Sequence, residues 1–142
     1  MVVAAFGASG DPIPLEGGRG TSWRFGSVVL KPADVSLGEL TWQAGLLPTI
    51  PQDGFRLSRP LRSRDGSLVV EAWCAWEYDE GRHQPRRWRE IMVAGEKFHR
   101  VLRDVPRPSH LDARTDPWAI GDRVAWGDLP VEGFLRVKHF PV

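Results

Sequence analysis

Residues 16–32, EGGRGTSWRFGSVVLKP, constrain the fold more than any other part of the chain. Gly17, Gly18 and Gly20 fall within four residues, and glycine is the residue that takes positive φ without steric cost. A tight turn is therefore expected there, with extended chain on both sides. Residues 13–15 lead into the glycines, and residues 21–25 alternate and are closed by Gly26-Ser27. Residues 27–30 are a β-branched run ending at Lys31, and Pro32 stops that strand. Three short antiparallel strands joined by two turns satisfy all of these signals.

The glycines allow two readings. In one they serve a plain hairpin. In the other their bare backbone lies against phosphate oxygens, with its N–H groups pointing at the anion and the Lys31 ammonium reaching the same group. No Gly-Lys-Ser/Thr follows, so the loop is not a Walker A loop, and it lacks the third glycine of a protein-kinase loop.

Beyond Pro32 the period changes. Residues 34–47 read as a helix capped by Ser36, with Leu37, Leu40, Ala44 and Leu47 on one buried face and Pro48 and Pro51 ending it. Residues 55–61 and 68–76 are two further extended pieces, joined by the turn signal Arg64-Asp65-Gly66. A second helix is expected from Pro85, carrying Trp88, Ile91, Gly95, Phe98 and Leu102 at helical spacing and ending before Pro106. Val2 to Phe6 suits either a helical turn or a strand, and residues 106–142 show little periodicity. The order is a meander of five strands with a helix after the third, which predicts an α+β fold on an antiparallel sheet.

A chain of 142 residues, 42% hydrophobic with seven tryptophans, can bury a core and makes one domain, or one lobe and part of another. The net charge of +1 supplies no global field for nucleic acid or an anionic membrane. No apolar run approaches the ~20 residues of a membrane span, and the first residues lack the basic flank of a signal peptide. A cytoplasmic location is expected. Cys74, the single cysteine, excludes an internal disulfide and is expected to be a buried thiol. His83, His99, His110 and His139 have no metal-ligand spacing among themselves or with Cys74. Arg82, His83, Arg86, Arg87 and Arg89 around Trp88 read as a solvated helix start with a buried tryptophan rather than a nucleic-acid patch. Trp118 and Trp126, among Asp116, Asp122 and Asp128, are expected to anchor an irregular segment.

Four stretches carry a family resemblance: PLEGGRGTSWRFGSVVLKPAD, RPLRSRDGSLVVEAW, GEKFHRVLRDVPRP and LDARTDPWAIGDRVAWGD. In this order they resemble the aminoglycoside phosphotransferases, the small-molecule branch of the protein-kinase-like superfamily, and in particular an actinobacterial branch of it. The resemblance implies a kinase-like N-terminal lobe over residues 1–80, and a linker with the beginning of a C-terminal lobe over residues 81–142. It implies that Gly17, Gly18, Gly20, Thr21 and Ser22 form the nucleotide loop, that Lys31 contacts the α- and β-phosphates of ATP, and that Glu39 is the partner of that lysine. Residues 68–72 become the strand leading to the hinge, with Val70 near the gatekeeper position. Backbone groups of Glu71, Ala72 and Trp73 then face the adenine edge. ATP and magnesium are the cofactors the family uses.

Phosphoryl transfer also needs a carboxylate to orient the acceptor hydroxyl, and an Asn and an Asp to hold magnesium. In this family they lie on a His-Gly-Asp-x-x-x-x-Asn loop and on a later Asp. The nearest imitation is His110-Leu111-Asp112, but Pro117 stands where the Asn belongs, and no long helix fits between Val105 and His110. Asp112 is therefore read as a decoy, with no catalytic residue and no metal ligand assigned. The expectation is the ATP-binding portion of a small-molecule phosphotransferase, ending before the catalytic loop. The alternative is a non-enzymatic remnant that serves as an interaction or regulatory module. Self-association and a separately encoded C-terminal lobe are the partners considered beside the nucleotide.

Overall fold

A computed structural model describes residues 1–16, 20–82 and 84–130. They divide into two compact units, one reaching Val105 and one beginning at Pro106. The helix expected to open the second part of the chain thus falls in the first unit.

The first unit is built on a five-stranded sheet of order β1-β2-β3-β5-β4. Its strands are β1 (Ile13–Pro14), β2 (Trp23–Phe25), β3 (Val28–Pro32), β4 (Pro60–Leu61) and β5 (Trp73–Glu77). Every pairing is antiparallel. The expected α+β fold with five antiparallel strands is present. Its strand limits differ from the sequence reading. β3 runs on through Lys31 and Pro32, which pair with Cys74 and Trp73. Proline ends the strand because it has no N–H to donate, yet its carbonyl side still fits the ladder.

Residues 68–76 are not one strand. Val70 and Trp73 exchange both backbone hydrogen bonds at 2.9 Å, so the chain reverses through Glu71 and Ala72. Both turn residues have positive φ, 49° and 65°. Neither is glycine or asparagine, and so the sequence carries no signal for this reversal. Of residues 55–61 only the last two enter the ladder; beyond them Arg59 still accepts a hydrogen bond from the Glu77 amide at 2.9 Å.

Directly paired residues share a face. One face presents Trp23, Phe25, Val28, Leu30, Trp73 and Ala75. Helix α1 (Val2–Ala5) packs there through Val2 and Val3, with Phe6 beside it. The chain leaving α1 passes close to the β2–β3 turn. A side chain at Gly26, φ +58°, would meet the Ser9 carbonyl at 3.0 Å.

The other face presents Arg24, Val29, Lys31, Cys74 and Trp76. Helix α2 (Leu37–Leu46) packs on this face beside β4 and β5, with Leu40, Leu68 and Cys74 at the centre of the contact. Ser36 caps α2 as its sequence position predicts, accepting from the Glu39 amide at 3.1 Å. Leu37 departs from the expected buried stripe and is 62% exposed, at the first turn where the helix has not yet reached the sheet.

Helix α3 (Trp88–Leu102) matches the predicted span. Phe98 meets Phe55 edge-on at 5.7 Å and Lys97 pairs with Asp53 at 4.0 Å, while Trp88, Ile91 and Met92 are exposed.

In the second unit the expected irregular segment is partly helical. Helix α4 (Pro117–Ala125) begins at an Asp116 cap whose carboxylate accepts from the Ala119 amide at 3.1 Å. The Asp-Pro pair is an N-cap followed by proline at the first helical position, a signal present in the sequence. Trp118 and Trp126 do not anchor this segment: they are 77% and 76% exposed.

Candidate functional site

The glycine-rich connection joins β1 to β2, and Leu15 donates to the Ser22 carbonyl at 3.0 Å to close its base. Gly17 and Gly18 lie outside the described residues. Gly20 has φ +67° with nothing within 4 Å of the place a Cβ would take. The backbone conformation favours glycine there, and the space beside it is open. Thr21 is exposed and Ser22 half-buried. Trp23 pairs with Leu30, so one further step in register sets Ser22 opposite Lys31. The glycine turn and the lysine therefore lie at the same end of the sheet.

Alternation along β3 places Lys31 on the α2 face. Its ammonium stands 4.9 Å from the centre of the Trp76 ring and 3.9 Å from the Asp34 carboxylate. The carboxylate that meets Lys31 is thus Asp34, three residues on, in the short connection to α2. Glu39, the expected partner, is buried in α2 and accepts a hydrogen bond from the Gln43 amide at 3.5 Å. Helix geometry explains this. The helix starts at Leu37, so Glu39 lies in its first turn, while Asp34 follows directly on the strand end that carries the lysine.

Glu71, Ala72 and Trp73 also lie at the glycine end of the sheet, in the reversal before β5. The Ala72 carbonyl accepts from Ala33 at 2.8 Å, and the N–H and carbonyl of Trp73 are both bonded to Val70. Residues 68–72, expected as one strand leading to a hinge, end in this reversal; the strand that follows is β5, and the segment leaving it starts at Tyr78. There Arg24 stacks over the Tyr78 ring at 3.8 Å, and Arg56 donates to the Glu80 carbonyl at 2.7 Å. Arg24, Tyr78, Glu80, Gly81 and Arg82 line an open polar recess at the opposite end of the sheet from the glycine turn, where the Tyr78 amide donates to the Ser27 carbonyl at 2.8 Å. Of these the sequence singled out only Arg82, as part of the arginine cluster around Trp88.

Cys74 is the buried thiol expected, 1% exposed, and donates to the Lys31 carbonyl at 3.6 Å. Burial pushes its pKa up, which leaves it a poor nucleophile. Asp112 ends the 3-10 turn Ser109–Leu111 and is held by Arg107 at 3.1 Å, while Arg107 also pairs with Asp128. An aspartate so held serves to fasten the segment.

Among the described residues no group of three or more His, Cys, Asp or Glu side chains gathers to hold a metal ion. Beside Lys31 stands the Asp34 carboxylate, paired with the lysine. No helix among them is long and apolar enough to cross a membrane. Comparisons with protein-family models, with curated proteins and with solved structures find no match to this chain.

Proposed function

We propose that the first unit binds a nucleotide, with its phosphates against the glycine-rich turn and Lys31, as the nucleotide-binding lobe of a small-molecule phosphotransferase does. The observation that carries this reading is the placement of Lys31 near the end of β3, beside the glycine turn and on the face that α2 covers only in part. The strand order, with its helix between the third and fourth strands, supports it. Lys31 supplies the charge, and the turn supplies backbone N–H groups unobstructed by side chains. The base would then meet the segment that leaves β5, from Tyr78 on, rather than the reversal at Glu71, Ala72 and Trp73, where the Ala72 carbonyl and both Trp73 backbone groups are already bonded. No transfer step is assigned, because Asp112 is held by Arg107 and the described residues gather no metal site.

The second reading is an interaction module without catalysis. The exposed Trp88, Ile91 and Met92 on α3 favour it, since contiguous apolar side chains on a surface mark contact sites.

Titration with ATP, with and without magnesium, separates the two. Nucleotide binding raises the melting temperature and Lys31→Met removes most of the effect, while the melting point of the unliganded variant stays near that of the wild type. Equal ATP binding by wild type and Lys31→Met would leave the glycines as an ordinary hairpin.

A further inference from the structure

The face of the sheet turned away from Lys31 contains a pocket that nucleotide binding does not use. Its floor is Leu30, 3% exposed at the centre of the sheet. Trp23 on β2 and Trp73 on β5 stand on either side, because Trp23 pairs with Leu30 and Trp73 with Pro32. Val2 and Val3 of α1, Pro12 and Phe25 complete the lining of this open hollow, whose volume is about 360 Å³. No charged side chain lines it.

We propose that this pocket binds an uncharged, flat aromatic molecule of about two fused rings. Size sets the number of rings. A dry cavity of about 150 Å³ takes one benzene, so this volume takes roughly two such rings. Shape selects a flat molecule. The two indole-bearing strands are separated by one strand, which puts the walls about 10 Å apart before the side chains narrow the gap. Indole walls also favour an aromatic guest through stacked or edge-on contact. Charge is selected against, since an ion here would lose water and meet no counter-charge.

Larger guests do not fit. A peptide strand adds to an open sheet edge, and β2, β3 and β5 are each paired on both sides. A partner helix needs a long apolar groove, and only seven residues line this hollow.

The test uses the whole chain, titrated with naphthalene, benzene and 2-naphthalenesulfonate and followed by ligand-detected NMR and thermal shift. Naphthalene should bind at least tenfold more tightly than either of the others. Val3→Trp fills the space from α1 and Trp23→Ala removes a wall, and each should weaken naphthalene at least tenfold. Trp23 is 39% exposed, so its variant keeps the test valid if Val3→Trp fails to fold. Absence of naphthalene binding, equal affinity for the sulfonate, or affinity unchanged in Trp23→Ala would each overturn the proposal.

Discussion

Replacing Ala72 with glycine should stabilise the protein, although glycine within a stretch of strand-like sequence ordinarily does the opposite. Ala72 has φ 65° and follows Glu71 at φ 49°. Their neighbours, Val70 and Trp73, exchange both backbone hydrogen bonds, which defines a two-residue turn of the mirror-image type. An L-residue held in the left-handed region costs about 1–2 kcal/mol, because its Cβ crowds the following carbonyl. Glycine removes that cost at position 72. It also loosens the unfolded chain, which offsets about 0.5–1 kcal/mol of the gain. Ala72 is exposed, so its methyl group takes little packing with it. Its carbonyl bond from Ala33 is backbone and survives the change. The net gain is about 0.5–1 kcal/mol, which for a chain of this size corresponds to roughly 2–4 °C in melting temperature.

Urea and thermal melts, followed by tryptophan fluorescence and far-UV circular dichroism, measure it. Gly66→Ala is the matched opposite. Gly66 has φ +87° with open space around it, so alanine meets no clash there and should destabilise through backbone strain alone. If residues 68–76 were one continuous strand, Ala72→Gly would cost about 0.5–1 kcal/mol. The two structures therefore predict opposite signs, and a lowered urea midpoint with unchanged slope would refute the turn.

Leu40→Ala should be the most damaging simple truncation in α2. Leu40 is fully buried between the helix and the sheet, so a loss of about 2–5 kcal/mol is expected in urea unfolding. Asp116→Ala should remove the α4 cap at a cost of about 1 kcal/mol to that helix, read as faster amide exchange at Ala119 and Ile120. Arg114, and then the Ala119 amide, hold the Asp116 carboxyl below its usual value near 3.8. Its stabilisation is thus complete above that value and lost as pH falls through the lowered one, a dependence that Asp116→Ala should abolish. Asp34→Asn frees Lys31 from its carboxylate and should tighten ATP binding about fivefold, the equivalent of about 1 kcal/mol for unit charges near 4 Å in water.

How much could be read from the sequence follows from how local each determinant is. Ser36 and the spacing of Leu40 and Ala44 specify α2 within a few turns of chain, and α3 is specified in the same way from Trp88 to Leu102. The first three strands were legible because the glycine turn, Gly26-Ser27 and Pro32 punctuate them, whereas the expected meander was not met, since β5 lies between β3 and β4. The Glu71-Ala72 reversal was not legible. It is imposed by pairing between Val70 and Trp73 and by the Ala33 amide, contacts no local residue preference encodes. The burial expected of Trp88 on α3 is not met, because periodicity names no partner for a face: Trp88 and Met92 are 71% and 66% exposed. For α4 the Asp116-Pro117 start was available and was outweighed by the Pro, Gly and Asp content around it.

The candidate site divides along the same line. Strand alternation places Lys31 on the same face as Trp76, whatever the chain binds. Its carboxylate neighbour depends on where the helix begins, and a start at Leu37 puts Asp34 rather than the more distant Glu39 beside the strand end. This exchange has a consequence for binding. A lysine free in solution loses much of its rotamer freedom, worth up to about 2 kcal/mol, when it is fixed against a ligand. Lys31 is already restrained between an indole ring and a carboxylate, so part of that loss belongs to folding. Asp34 is 45% exposed, and water weakens its hold on the ammonium. A phosphate chain carries more charge than one carboxylate and can displace Asp34 without dislodging the lysine from Trp76. The pair therefore places the lysine in advance and obstructs an arriving phosphate only weakly.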